Sequence, residues 1–442
     1  MKKTLLLMVC MVLTTTVSAQ KVVGGDLSLV PAYEAAGDQW LDANGNVINT
    51  TYSDGMITYV RDVAKWNSVR VRLLVDPTKD DAPATCQDLD YVKKLGKRIK
   101  DAGMGFLLDI FYSDTWTDVS KQWIPASWGY NKSTSAETLA AKVKSYTTEV
   151  LNALVSYGAK PDYIQLGNEV SYGMLWDSMT GASKSNWFTM GSSYAEQETN
   201  IKRFVTLLKA AKEGVDASTA AGAKIILHCE RTKTAAHCVN FYTWVEQAGF
   251  TDYDIIGLSY YPFWHNSLTV LGATLSNLAA TFPQKEVMVV ETAYNNAWYP
   301  TGDGIHDYQS LWPASPAGQQ KFVEDLIAEL LKHDNVTGLF YWMPEENPAG
   351  NHVYEPWLNR GLFANGNASV GQGNANCAMP AFYALKKFTE GQEDGIREME
   401  AQGGGSSSAA RKAVSRPFDL SGRPAAPRHR GLTIVEGKKY IR

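Results

Sequence analysis

Cysteine is scarce in this chain, five residues in 442. Cys10 sits in the first twenty residues, which leaves Cys86, Cys229, Cys238 and Cys377 for the body. Four thiols make no staple framework in so long a chain, and no Cys/His spacing reads as a zinc site. In an oxidising compartment Cys229 and Cys238 are the local pair expected to join. Excess charge is missing too: Lys and Arg number 42 against 46 Asp and Glu, a net charge of −4 that gives no footing for a nucleic-acid partner. After the N-terminus no apolar run is long enough to span a membrane, so no transmembrane segment is expected. A glycine-rich phosphate loop is absent as well.

What is present begins with a leader. Lys2 and Lys3 precede the apolar run Leu5 to Leu13, and Val17-Ser18-Ala19 offers small residues for cleavage before Gln20. Residues 1–19 therefore read as a signal peptide, and the protein as secreted or held at the cell surface. Cys10 lacks the small residues that usually precede a lipidated cysteine, which favours release. The 13 Trp and 22 Tyr are an aromatic load that suits sugar binding, since ring faces stack on the C–H faces of sugars, although a large core also uses aromatics.

Short apolar, β-branched runs mark buried parallel strands. They fall at Val22 to Leu29, Val69 to Val75, Gly105 to Phe111, Asp162 to Leu166, Lys224 to His228, Asp254 to Tyr260, Glu286 to Val290 and Val336 to Trp342. Helices fill the intervals. Thr134-x-x-Glu137 reads as a capping box ahead of Leu139, Val143, Tyr146, Val150 and Leu154, which recur every three or four residues. A second helix carries Leu89, Val92, Leu95 and Ile99 on one face and Lys93, Lys94, Lys97 and Arg98 on the solvated one. A third runs through Phe322, Leu326 and Leu330. Eight strand–helix units predict an α/β fold, a closed (β/α)₈ TIM barrel over 20–399, with an open doubly wound sheet as the rival.

Composition changes near residue 400. Gly403 to Ser408 is a flexible Gly/Ser linker, taken as 400–415, and 416–442 is a basic tail. Leu432 to Val435 followed by Glu436-Gly437 reads as a short strand and turn. Phe418 to Arg423 and Gly431 to Ile434 with Gly437 to Lys439 resemble the C-terminal sorting tails of bacterial type IX secretion; a surface-bound or vestigial tail is the other reading.

In such barrels the reactive residues lie at the C-terminal ends of the strands. Those ends carry Arg72, Asp109 with Tyr112, Asn168-Glu169, His228, Tyr260-Tyr261, Glu291 and Trp342. Glu169 follows the fourth strand and Glu291 the seventh, positions that face each other across the mouth of an eight-membered ring. Glycoside hydrolysis needs such a pair: one carboxyl protonates the leaving oxygen while the other attacks or activates water. The pattern alone does not assign the two roles.

The stretches LLDIFYSDTWTD (107–118), PDYIQLGNEVSYGMLW (161–176), IIGLSYYPFWH (255–265) and VVETAY (289–294) resemble glycoside hydrolase family 53, in order from about Gly24 to Trp342. The resemblance implies a retaining arabinogalactan endo-β-1,4-galactanase, acting on pectic galactan or type I arabinogalactan, with Glu169 as acid/base and Glu291 as nucleophile. It implies that Asn168 bonds the 2-hydroxyl of the sugar at the cleavage point, and that Arg72 lies beside Glu291 and helps keep it ionised. His228 could orient a carboxylate or be a core residue, and Tyr261 could donate to the nucleophile. Trp116, Trp176, Trp264, His265 and Trp342 are either sugar platforms or loop filler. Three positions depart from the family pattern: Leu74 for a tryptophan, Phe111 for a histidine and Met343 for a glutamate. No cofactor is required by this chemistry and no catalytic metal is expected. Asp303, His306 and Asp307 could hold a structural calcium or form an ordinary turn. A monomer is expected, with the polysaccharide as its partner. A barrel acting on another β-linked chain such as mannan, and a surface glycan-binding protein without catalysis, are the alternatives.

Overall fold

The computed structural model describes residues 20–79, 84–347 and 358–390, together with the backbone of two short strands at 432–435 and 438–441. The expected signal peptide, the expected Gly/Ser linker and most of the expected tail lie outside the described residues. The chain divides into two units with the boundary between Gln392 and Glu393.

In the first unit eight parallel strands close on themselves in sequence order. They are β1 (Val22–Asp26), β2 (Ser68–Leu73), β3 (Gly105–Ile110), β4 (Tyr163–Leu166), β5 (Lys224–Cys229), β6 (Ile255–Tyr260), β7 (Glu286–Thr292) and β8 (Val336–Tyr341). Each overlaps the run expected for it. Closure is completed by β1 pairing with β8, where Val22 aligns with Gly338 and Gly25 with Tyr341. The ring leaves no open edge, and the rival open sheet is excluded. Gly24 shows how tightly β1 is seated, since a Cβ there would stand 1.9 Å from the carbonyl oxygen of Ser68.

Strand alternation sorts the side chains into two cores. Outward positions such as Val23, Val69, Val71, Leu108, Ile164 and Leu227 join one large cluster with the surrounding helices. Inward positions Val22, Leu107, Ile226, Ile255, Met288, Val290 and Phe340 form a separate apolar plug. Above it the inward positions turn polar: Asp26, Arg70, Arg72, Asp109, Gln165, His228 and Ser259 are all fully buried.

The helices form as the spacing predicts, at Leu89–Asp101, Ala136–Ser156 and Pro316–Leu330. One cap differs: Ser135, not Thr134, accepts from the backbone N–H of Thr138. Thr134 instead closes the preceding turn, accepting from Asn131 N–H through its hydroxyl. The expected Cys229–Cys238 bridge is also corrected. All four cysteines of the body are free thiols, with Cys229 and Cys238 hydrogen-bonded to one another. In the second unit Leu432–Val435 pairs antiparallel with Lys438–Ile441, consistent with the strand read there. Among the described residues no helix is long and apolar enough to cross a membrane.

Candidate active site

At the C-terminal mouth of the barrel lies a cleft of about 610 Å³ whose walls include Glu169, Glu291, Asn168, Tyr261 and Trp342. Glu291 owes its position to an irregularity in β7. Met288 and Val290 point into the barrel and Val287 and Val289 out of it. Strict alternation would therefore send residue 291 outward. Instead the register against β6 slips, Leu258 aligning with Val289 but Ser259 with Glu291, so one extra residue turns the glutamate back toward the cleft. Bulges of this kind bend a strand and re-aim its side chains. Glu169 is held by a different device: its backbone is left-handed, with φ of 47°, two residues after Gly167 at 86°. A side chain in that region is strained, and strain of this sort collects at functional positions.

The two carboxyl groups have unlike partners. Glu291, 4% exposed, ion-pairs through Oε1 with Arg70 at 3.0 Å and accepts through Oε2 from the Tyr261 hydroxyl at 3.0 Å. Burial pushes its pKa up, while Arg70 and the tyrosine hydrogen bond pull against that. Among the described residues no cation forms an ion pair with Glu169. Its Oε1 accepts from Ser259 at 2.7 Å, and burial, followed by the negative charges of Glu291 and Glu230, holds its pKa well above the usual carboxyl range. Of the two, Glu169 keeps its proton to higher pH.

A relay stands behind Glu169. His228 Nδ1 accepts from the backbone N–H of Glu169 at 3.2 Å and from the Gln165 amide at 3.0 Å. That assigns the ring proton to Nε2, which donates to Ser259 Oγ at 2.9 Å. Burial, with Arg70 nearby, holds the imidazole neutral. Asn168 is clamped by its Nδ2, donating to Thr117 O at 2.8 Å, and by its Oδ1, accepting from Arg70 at 3.0 Å.

Of the expected site residues, Asn168, Glu169, Glu291, Tyr261, Trp116, Trp264, His265 and Trp342 all line this one cleft. His265 is neutral, its pKa pushed down to about 3 by burial and by the charges of Lys233 and Arg231. Others are elsewhere. The arginine beside Glu291 is Arg70, not Arg72. Arg72 pairs with Asp26 at 3.4 Å and lies between Trp116 and Trp342, its guanidinium 5.2 and 5.1 Å from their rings. Both arginines point inward, and only their height in the barrel separates them. Asp109 stands below the cleft, paired with Arg70 at 2.6 Å, and the negative charge of Glu291 also acts on it directly. Tyr112 faces outward and meets Thr147 on the helix Ala136–Ser156 at 2.9 Å, away from the cleft. Trp176 is buried in the loop layer against Trp123 and Trp187. Phe111 is buried edge-on to the cleft-lining Trp116, and Leu74 and Met343 are buried. In the 303–307 loop Asp307 accepts from Gln309, and among the described residues no three His, Cys, Asp or Glu side chains converge on a metal position.

Arg70, Ser259, Glu230 and Arg231 were not foreseen as functional positions. Glu230 and Arg231 follow β5 directly and line the cleft, so the rule of strand ends reaches them if it is carried three residues past His228.

A closed (β/α)₈ barrel whose mouth gathers two glutamates among aromatic rings is the architecture of a glycoside hydrolase. Comparison of the sequence narrows this. The chain belongs to glycosyl hydrolase family 53, whose sequence model matches residues 22–385. It is 32% identical over 358 residues to a probable arabinogalactan endo-β-1,4-galactanase A of Aspergillus fumigatus, covering 77% of this chain and 89% of that one. It is likewise 32% identical over 331 residues to an arabinogalactan endo-β-1,4-galactanase of Thermothelomyces thermophilus, covering 73% and 88%. The solved catalytic domain from Ignisphaera aggregans, described as of the same family, superposes with a TM-score of 0.67 at 28% identity, over 84% of this chain and 97% of that one.

Proposed function

We propose that this protein is an exported endo-β-1,4-galactanase that cleaves pectic galactan or type I arabinogalactan with retention of configuration. The observation that carries the mechanism is the unequal surroundings of the two glutamates. Glu291, against Arg70 and the Tyr261 hydroxyl, is the group that stays ionised and attacks the anomeric carbon. Glu169, in no ion pair among the described residues, is the group that carries a proton to the bridging oxygen as the glycosidic bond breaks. The sugar is then bound covalently to Glu291. In the second half Glu169, now ionised, takes a proton from water, the water oxygen bonds to the anomeric carbon, and Glu291 leaves. Two carboxyl groups complete both steps without a cofactor.

Ser259 and His228 fix the rotamer of Glu169, and Asn168 is placed to bond the sugar at the cleavage point. Trp342 and Trp116 supply ring surface beside it. The names of the family relatives support galactan as the substrate, and the basic-then-apolar leader at 1–19 supports export.

The test is a digest of purified galactan followed by proton NMR and chromatography. The expected outcome is a first-formed β-anomer and mixed oligomers early in the reaction. A first-formed α-anomer would overturn the covalent role of Glu291, and cleavage of mannan with none of galactan would overturn the substrate.

A further inference from the structure

One wall of the cleft carries charge that two-glutamate chemistry does not use. Arg231, Lys233 and His237 follow β5 in quick succession and all line the cleft that holds Glu169 and Glu291. Glu169 protonates the bridging oxygen, so the side of the cleft beyond it receives the departing part of the chain. Glu230 lies next to Glu169 in the electrostatics of the site, and Arg231 pairs with Glu230, which places this wall on that side.

Arg231 is fixed with a donor to spare. Its Nε reaches Glu230 at 3.0 Å and Ser171 Oγ at 3.3 Å. Its guanidinium lies 3.9 Å from the Tyr172 ring, whose stacking partner is Trp187 at 5.1 Å. Nη2 is buried and has no hydrogen-bond partner. Tyr172 thus has Arg231 on one side and Trp187 stacked on it, so it holds the arginine rather than offering a face to sugar. Lys233 is exposed, and among the described residues no ion pair includes it. Burial, and then the charges of Lys233 and Arg231, lower the pKa of His265 on the neighbouring segment after β6. Two carboxylates share this wall: Glu230, which pairs with Arg231 and accepts from Ser171, and Asp118, whose Oδ1 accepts from the backbone and hydroxyl of Ser120, so Lys233 is the cation left for a ligand. A neutral galactose unit offers these cations hydroxyl acceptors but no opposite charge, and charge-assisted pairing is the stronger use of them.

We infer that Arg231 and Lys233, with His237, form a leaving-group subsite for a sugar bearing a carboxylate, such as a uronic acid. This rests on the galactanase reading and narrows it to galactan that carries acidic residues on its departing side. An arginine with an unpartnered donor and an exposed lysine are a suitable pair for a carboxylate, the first by direction and the second as a point charge.

The test uses one galacto-oligosaccharide prepared in two forms, with the reducing-end unit oxidised to the aldonate or reduced to the alditol. The ratio of kcat/KM for aldonate over alditol is measured at low and high salt. An exposed charge pair supports a ratio of about fivefold for the wild type, shrinking as salt screens it. The ratio is expected to fall to about one in Lys233→Ala and below one in Lys233→Glu, by the same Coulombic argument. A surface lysine can be changed without disturbing the fold, and Arg231→Gln gives a second reading of the ratio. A wild-type ratio of one or less overturns the acidic subsite and leaves galactan cleavage intact. Failure to cleave either form overturns the galactanase reading and this subsite with it.

Discussion

The lower and upper halves of the barrel interior are built by the same strands from opposite chemistry. Leu107 and Ile226 belong to the apolar plug, and two residues further along the same strands stand Asp109 and His228. Below, burial of hydrocarbon does the holding. Above, most inward groups are polar and held by partners: Arg70 meets Asp26, Asp109 and Glu291, and His228 meets Gln165 and Ser259. The difference of one strand repeat separates the part of the molecule that keeps the ring closed from the part that does chemistry. The plug also denies water a route to the buried charges from beneath, so the electrostatics above it act in a medium of low polarity.

The comparison can be broken by substitution at each level. The largest effect is expected at the nucleophile: Glu291→Gln should lower kcat by about 10⁴-fold or more, with the thermal midpoint held near that of the wild type. Removing the acid comes next. Glu169→Gln should lower kcat by about 10²–10⁴-fold on galactan. Because the pKa of Glu169 is raised, wild-type activity should fall on the alkaline side as its proton is lost. That limb should vanish in Glu169→Gln while the acid limb, set by Glu291 taking up a proton, persists; an unchanged alkaline limb would refute the assignment.

Arg70→Met tests whether the upper layer is only catalytic. It leaves Asp26, Asp109 and Glu291 without their shared cation, so a loss of about 3–5 kcal/mol in chemical denaturation is expected. The acid limb should also move to higher pH. Arg70 would then be the position where the two halves cease to be separable. In the plug, Leu107→Ala or Ile226→Ala should cost about 2–5 kcal/mol of stability, with kcat at 25 °C nearly unchanged. A large loss of kcat in a stably folded plug variant would show that the lower half shapes the site after all. The smallest effect is expected from Ser259→Ala, about a fivefold loss for one hydrogen bond. The serine lowers the pKa of Glu169, so its removal should carry the alkaline limb upward.

Much of this was legible in the chain. Short apolar, β-branched runs between helical intervals marked all eight strands, because a parallel barrel must bury each strand on both sides and cross back through a helix. Glu169 and Glu291 were legible because they follow strands four and seven, and the family resemblance gave them roles. Alternation also places Phe111 inward and Tyr112 outward, and naming Tyr112 as a site residue ignored it. The Ser135 cap shows the same limit at short range, since Thr134 and Ser135 are chemically equivalent until the turn at Asn131 engages one of them.

From the residues alone came the ring of strands, the helices between them and the two acids at its mouth, since period, capping and strand-end position are local properties of a chain. Tertiary structure decided which of two inward arginines stands level with Glu291, and that the thiols of Cys229 and Cys238 stay free. It also decided that a slipped register turns Glu291 into the cleft and that Glu169 rests on a serine instead of a cation. These depend on the height and tilt at which distant strands meet, which is set only when the ring closes. The proton therefore rests on Glu169, for a reason that lies in the neighbours folding brings to it and not in the glutamate itself.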